Sequence, residues 1–304
     1  GLAGGNPGGV GDVAGQITSA SGSITGLFEV GADSVGPQVS YGFSPDLGPL
    51  TALNLTSGGT LLSYSVSAGT LTASVGLTPV FTLAVDATTG AYTFSLLAPL
   101  DHAAGLNEND LNIDFGSVLQ ITDADGDSAV AGGAFIVTVN DDTPIATGSN
   151  IAITVDEDGL AGGNPGGVGD VAGQITSASG SITGLFQVGA DSVGPQVSYG
   201  FSPDLGPLTA LNLTSGGTLL SYSVSAGTLT ASVGLTPVFT LAVDATTGAY
   251  TFSLLAPLDH AAGLNENDLN IDFGSVLQIT DADGDSAVAG GAFIVTVNDD
   301  TPIA

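Results

Sequence analysis

Gly1–Ala146 recurs as Gly159–Ala304, and the two copies differ only at Glu29 against Gln187. The period is 158 residues, and a separate segment, Thr147–Asp158 (TGSNIAITVDED), occurs once. Solenoid units of about 20–45 residues need neighbours in order to fold. A period this long instead fits a self-sufficient domain, so the chain is expected to be a slice of a longer tandem array, cut out of phase with its domains. An enzyme gains little from joining near-identical copies, whereas a spacer gains reach and a multivalent binder gains avidity.

Within one period the pattern is that of strands. Val, Ile, Thr, Tyr and Phe sit in short alternating runs, and Gly is 47 of 304 residues. Strands are predicted over Gln38–Phe43, Leu61–Ser67, Thr70–Val75, Val80–Val85, Ala91–Leu97, Leu111–Thr122, Ala129–Val139 and Ile151–Val155. Ala68-Gly69 and Ala87-Thr-Thr-Gly90 mark turns, and the Gly-rich stretch Gly1–Gly15 reads as a loop, including Gly8-Gly-Val-Gly-Asp12. Seven or eight short strands per repeat define an all-β fold of tandem immunoglobulin-like β-sandwich domains. Tyr64, Phe81, Tyr92, Phe94, Phe115 and Phe135 are expected in the core. Pro144 cannot donate to a ladder, so Asn140-Asp-Asp-Thr-Pro144 is the expected boundary. The domains are then residues 1–142, without an opening strand of their own, and 143–304, opening with IAITV.

Charge narrows function. The chain has 30 Asp+Glu, no Lys or Arg, and 2 His. It has no cations with which to neutralise nucleic-acid phosphates or an anionic membrane surface. It has no Cys for disulfides or thiolate metal sites. No apolar run reaches the ~18–20 residues of a membrane helix, and no leader pattern opens the sequence, so a soluble chain without membrane insertion is expected.

Three acidic clusters stand out. Asp123, Asp125 and Asp127 recur as Asp281, Asp283 and Asp285; Asn140, Asp141 and Asp142 recur as Asn298, Asp299 and Asp300; Asp156, Glu157 and Asp158 occur once. Carboxylates this dense repel unless a cation lies between them, and here that cation must come from solution. Dense oxygen ligands suit Ca2+, which tolerates the irregular coordination a loop offers. An ordinary Asp-Gly turn is the alternative for any one cluster. The spacing is not that of an EF-hand. Asp123–Asp127 enters the last predicted strand and Asn140–Asp142 leaves it, so the two are expected at opposite poles. Asp141 and Asp142 are then expected to approach Asp281, Asp283 and Asp285. A fourth group, Asp101-His102 with Asn107, Glu108, Asn109, Asp110 and Asp114, lacks a nucleophile and is expected to be a polar loop or accessory calcium site.

The run ATTGAYTF, PLDHAAG-NEND, ITDADGDS and VNDDTPIA resembles the extender repeats of repeats-in-toxin (RTX) adhesins, which Gram-negative bacteria export by type I secretion. The Asn-Asp-x-x-Pro exit is shared with cadherin-like and VCBS-type modules. The resemblance implies immunoglobulin-like domains in series with calcium at their junctions. It also implies an extracellular, cell-surface location, with the array projecting a distal binding domain for adhesion and biofilm formation. The function expected is thus a calcium-rigidified structural spacer, monomeric, whose partners are adjacent identical repeats and which has no catalytic residues. A lectin-like or ice-binding module acting through avidity is the alternative.

Overall fold

In a computed structural model of the chain, residues 2–3, 5–7, 15–31, 39–103, 108–132, 135–190, 197–263, 265–290 and 293–303 are described. Gly8–Asp12, Gln38 and Asn107 lie outside them. The chain forms two units. Unit 1 comprises Gly1–Thr143 together with Gly189–Gln196 and Ala282–Asp285. Unit 2 comprises Pro144–Val188, Val197–Asp281 and Ser286–Ala304.

Unit 1 is an all-β sandwich. Its strands are β1 (Ser19–Ser23), β2 (Ser40–Phe43), β3 (Ser63–Ser67), β4 (Thr70–Val75), β5 (Thr78–Val85), β6 (Ala91–Leu96), β7 (Asp110–Asp114), β8 (Leu119–Thr122), β9 (Ser128–Val130) and β10 (Ile136–Asn140). One sheet has the order β1-β6-β5-β4-β3, and it faces two smaller ones, β9-β8-β2 and β10-β7. Alternation drives this arrangement: in β4 and β5, Leu71, Ala73, Phe81, Leu83 and Val85 turn inward while their neighbours, Val80 excepted, remain partly exposed. Phe81 of the large sheet meets Phe115, which lies between β7 and β8, edge-on at 5.8 Å. Ala68 and Gly69 both have positive φ, +48° and +76°, the geometry a two-residue hairpin requires. Pro79 in β5 sits opposite Ser74 where the register shifts, at a bulge that tolerates its missing donor.

Three predicted strands are broken. Leu61–Ser67 is cut at Leu62, because Thr60–Leu61 pairs with Thr56–Ser57 in a small hairpin of its own and β3 starts at Ser63. Leu111–Thr122 is interrupted by a 3-10 turn at Gly116–Val118, where Gly116 N–H donates to Asp114 Oδ1. Ala129–Val139 divides into β9, paired with β8, and β10, paired with β7, on either side of Gly132 at φ +65°. A left-handed glycine turns the chain from one sheet to the other, so no continuous strand spans the domain. β1 was not predicted. Its sequence, SASGS, has no apolar alternation, yet it pairs with β6, and Gly22 leaves room for the Tyr92 ring.

Unit 2 repeats this fold with two additions, a short pairing of Ile145–Ala146 with Phe186–Gln187 and one longer strand. Its strands are β11 (Ile151–Asp156), β12 (Ser177–Ser181), β13 (Ser198–Phe201), β14 (Ser221–Ser225), β15 (Thr228–Val233), β16 (Thr236–Val243), β17 (Ala249–Leu254), β18 (Asp268–Asp272), β19 (Leu277–Thr280), β20 (Ser286–Val288) and β21 (Phe293–Asn298). The longer addition is β11, the expected IAITV strand, which runs parallel to β21 from Ile151↔Phe293 to Asp156↔Asn298. It makes the third strand of the sheet β11-β21-β18. In unit 1 the matching sheet has two strands, and among the described residues nothing pairs with the outer edge of β10. Phe293, Val295 and Val297 are fully buried, whereas Phe135 and Val137 are half-buried and Ile136 is 60% exposed.

Candidate metal centre

β11 carries the once-only acidic segment into the interior of unit 2. At its end Asp156 caps a 3-10 turn, Glu157–Gly159, by accepting the Asp158 N–H at 2.9 Å. All three acidic side chains are buried, with Asp156 1%, Glu157 3% and Asp158 5% exposed. The turn separates them into two sites. Glu157 accepts the Leu258 N–H at 2.7 Å and lies 3.3 Å from His260 Nε2, and Asp299 joins this pair. Burial pulls the His260 pKa down, but the Glu157 hydrogen bond and charge, with Asp299 and Asn267, outweigh it and raise the pKa above its ordinary value.

Asp156 and Asp158 turn instead toward Asp170. Ligand oxygens of these three lie within 4.8 Å of one another. Two oxygens on opposite sides of a calcium ion are about 5 Å apart, given metal–oxygen distances of about 2.3–2.6 Å. Both Asp158 carboxylate oxygens, Asp156 Oδ2 and Asp170 Oδ1 are buried without a hydrogen-bond donor. Burial pushes the Asp158 carboxyl up to about 6, reinforced by Asp156, Glu266 and Asp300. Asp156 is raised by burial as well, with Asp170 and Asp300 adding to it against the Asp158 N–H bond. Buried carboxylates left unpaired cost several kcal/mol each, about 3–5 for a broken pair. The donor set is all oxygen and anionic, which fits a hard divalent cation such as Ca2+.

The Gly-rich stretch after β11 makes this enclosure. A side chain at Gly163 would strike the backbone of Asp158, and one at Gly167 would strike the Glu266 carboxylate. Val171 N–H donates to Asn298 Oδ1 at 3.3 Å, which holds the loop so that Asp170 reaches the cluster. The loop expectation for this stretch thus did not include Asp170 among the candidate ligands. Asp170 repeats Asp12, the one acid of the Gly8-Gly-Val-Gly-Asp12 motif, and a lone Asp in a run of glycines was the available signal. Glu266 is the counterpart of Glu108, a member of the group expected to be a polar loop or accessory calcium site.

The remaining sequence-predicted residues fall as follows. In unit 1 His102, Asp141 and Asp283 bring ligand atoms within 4.8 Å of one another, with His102 Nδ1 3.3 Å from Asp141 Oδ1. Burial, with smaller contributions from Asp283 and Asp285, raises the Asp141 carboxyl to about 6 against the pull of His102 and the Asp142 N–H. Asp281, Asp283 and Asp285 also converge within their own loop. Asp123, Asp125 and Asp127 converge too, but at the surface, where Asp123 accepts the Gly126 and Asp127 N–H groups. Asp142 accepts the N–H groups of Asn6 and Ala190, and Asp300 accepts from Asn164. Asn140 and Asn298 clip strand ends, donating to Asp110 and Asp268. Asp101 does not pair with His102. It accepts the Gly58 and Gly59 N–H groups at 2.7 and 2.8 Å, while His102 faces the Leu100 and Val139 carbonyls.

The fold and these acidic loops define a class: tandem all-β sandwich repeats with carboxylate clusters enclosed at strand ends. The chain belongs to the family described as Domain of unknown function (DUF5801), whose model matches residues 9–132 and again 152–290. No curated protein matches the sequence. Among the described residues no helix is long and apolar enough to cross a membrane.

Proposed function

We propose that this chain is a calcium-stiffened spacer segment of a long bacterial surface adhesin. In this reading calcium organises the acidic loops at the ends of each repeat, and the array holds a distal binding domain away from the cell surface. The observation that carries the reading is the Asp156–Asp158–Asp170 cluster, whose buried oxygens have no donor in a chain that has no Lys or Arg. The tandem repetition and the resemblance to extender repeats of RTX adhesins support it from a separate direction. In a calcium-poor cytosol the carboxylates repel and disfavour folding, which suits threading through an export channel. Outside, calcium binding supplies folding free energy. The test is thermal unfolding in millimolar calcium and in chelator, alongside calorimetric calcium titration. A large upward shift with saturable binding is expected, and an unchanged midpoint overturns the reading.

A further inference from the structure

His260 and Glu157 meet in the interior of unit 2 as two acceptors. Their side chains are each 3% exposed, and His260 Nε2 lies 3.3 Å from Glu157 Oε1. The other ring nitrogen, Nδ1, lies 3.0 Å from Asn267 Oδ1. Which end of that amide faces the ring is fixed by its second bond, since Asn267 Nδ2 donates to the Ala261 carbonyl at 2.9 Å. An amide oxygen only accepts, so Nδ1 carries the ring hydrogen, and the neutral imidazole turns the lone pair of Nε2 toward a carboxylate. Two buried acceptors this close need a positive centre between them. The chain has no Lys or Arg to supply one. A third group completes the set: Asp299 brings a ligand oxygen within 4.8 Å of both. Its backbone N–H donates to the Asn267 carbonyl at 3.1 Å, so Asn267 places Asp299 as well as the His260 ring. Asp299 is half-buried, which leaves a way in from solvent.

We propose that Glu157, His260 and Asp299 form a site for a first-row divalent cation of the Zn2+ class, separate from the all-oxygen calcium cluster. Donors at about 2.0–2.2 Å from a tetrahedral zinc stand about 3.3–3.6 Å apart, and the Glu157–His260 separation of 3.3 Å matches that edge. An imidazole nitrogen suits zinc and disfavours calcium, whose ligands are oxygens. Three protein ligands leave a fourth tetrahedral position for water. Asn267 is the positioning residue, since it holds the His260 tautomer from behind, as the outer partner of a metal-bound histidine does. The ion ties the end of β11 to the segments that follow β17 and β21. The inference does not rest on the calcium reading, because the observation that carries it is a ring nitrogen.

The experiment uses the full chain with His102→Gln, which leaves His260 as its one imidazole, in millimolar calcium to fill the oxygen clusters. Zn2+ is titrated calorimetrically, Co2+ is followed by visible absorption, and the ring nitrogens are followed by NMR. One tight zinc per chain is expected, with a cobalt spectrum of four-coordinate intensity and a metal shift at Nε2 while Nδ1 keeps its hydrogen. Adding His260→Gln should abolish the tight site. Asn267→Ala should weaken it about 10–100-fold and leave calcium-dependent melting in place. The proposal is overturned if the His260→Gln chain binds zinc as tightly, if Asn267→Ala changes nothing, or if millimolar calcium prevents zinc binding. It is also overturned if Nε2 stays protonated with zinc present, because the pair is then held by a proton alone. Where His260→Gln fails to fold, the Nε2 signal of the His102→Gln chain decides by itself. Calcium-dependent melting without zinc uptake removes this proposal and leaves the calcium reading intact, and zinc uptake without a calcium response does the reverse.

Discussion

Phe135 and Phe293 sit at the same place in two copies of one sequence, and one is half-buried while the other is sealed. Nothing within the repeat accounts for that difference. β11 does, since it closes the sheet edge of unit 2, buries Phe293, Val295 and Val297, and delivers Asp156, Glu157 and Asp158 to the acidic end. The comparison separates two contributions usually merged in a sandwich domain. The shared strands suffice to assemble the aromatic core, since the Phe81–Phe115 and Phe239–Phe273 contacts are both 5.8 Å. The added strand β11 contributes edge closure and a candidate metal centre. Two unfolding transitions are therefore expected, with unit 1 melting first.

The largest effect that tests this comparison is on the added strand. Val155→Asp places an unpaired carboxylate in a fully buried position, and should cost unit 2 about 3–5 kcal/mol. Calorimetry should then show the higher transition falling to or below the lower one, with the lower transition unmoved. If both transitions fall together, the two units do not unfold independently and the contrast between them is lost.

Next in size is the metal centre. Asp158→Asn removes a charge whose two oxygens lack donors. In chelator the variant should melt above the parent, because repulsion is relieved. In calcium it should melt below, losing up to about 2.7 kcal/mol if the ion is present at 100 times its dissociation constant. Opposite signs in the two conditions identify a metal ligand, whereas equal signs indicate a merely structural carboxylate. Asp170→Asn should behave in the same way, and Asp125→Asn, in the exposed loop, should do neither.

A smaller effect is expected from the glycine loop. Gly167→Ala drives a methyl group into the Glu266 carboxylate, an overpacking that typically costs about 1–3 kcal/mol. It should weaken calcium binding in titration calorimetry. Gly184→Ala, with open space around it, should leave binding and melting unchanged.

How much of this was legible beforehand differs between fold and site. The hairpins were legible because their signals are local: Thr70–Val75 alternates and Ala68-Gly69 turns. The break between β9 and β10 was not, because a Gly132 that redirects the chain and a Gly132 within a strand read alike. The carboxylate clusters were legible as a chemical type, since dense acids without cations have few other uses. Their membership was not. Asp156 and Asp158 meet Asp170 across a loop, and Glu157 leaves them for His260, which is 103 residues away. Adjacent side chains at a turn diverge, and only the fold decides which distant group each one meets.

The smallest expected effect is of pH, and its sign distinguishes chelator from calcium. In unit 2 Asp158 has its carboxyl raised from 3.8 to about 6 by burial and by Asp156, Glu266 and Asp300. A raised carboxyl means that the folded state binds more protons than the unfolded chain between those values. Stability therefore rises as pH falls through 6 toward 3.8, and it falls as pH climbs back. In chelator, lowering the pH from 7 to 5 should lift the unit 2 transition, with the strengthened His260–Glu157 pair adding in the same direction. In calcium the trend should reverse, since protons displace the ion from Asp156 and Asp158. Unit 1 should respond in chelator through Asp141, raised to about 6 as well. It should keep that response in Asp158→Asn, while unit 2 loses most of its own. A pH series of melting curves with and without calcium reads all four cases, and a unit 2 midpoint in chelator that falls on acidification would remove Asp158 as the group at the centre of the cluster.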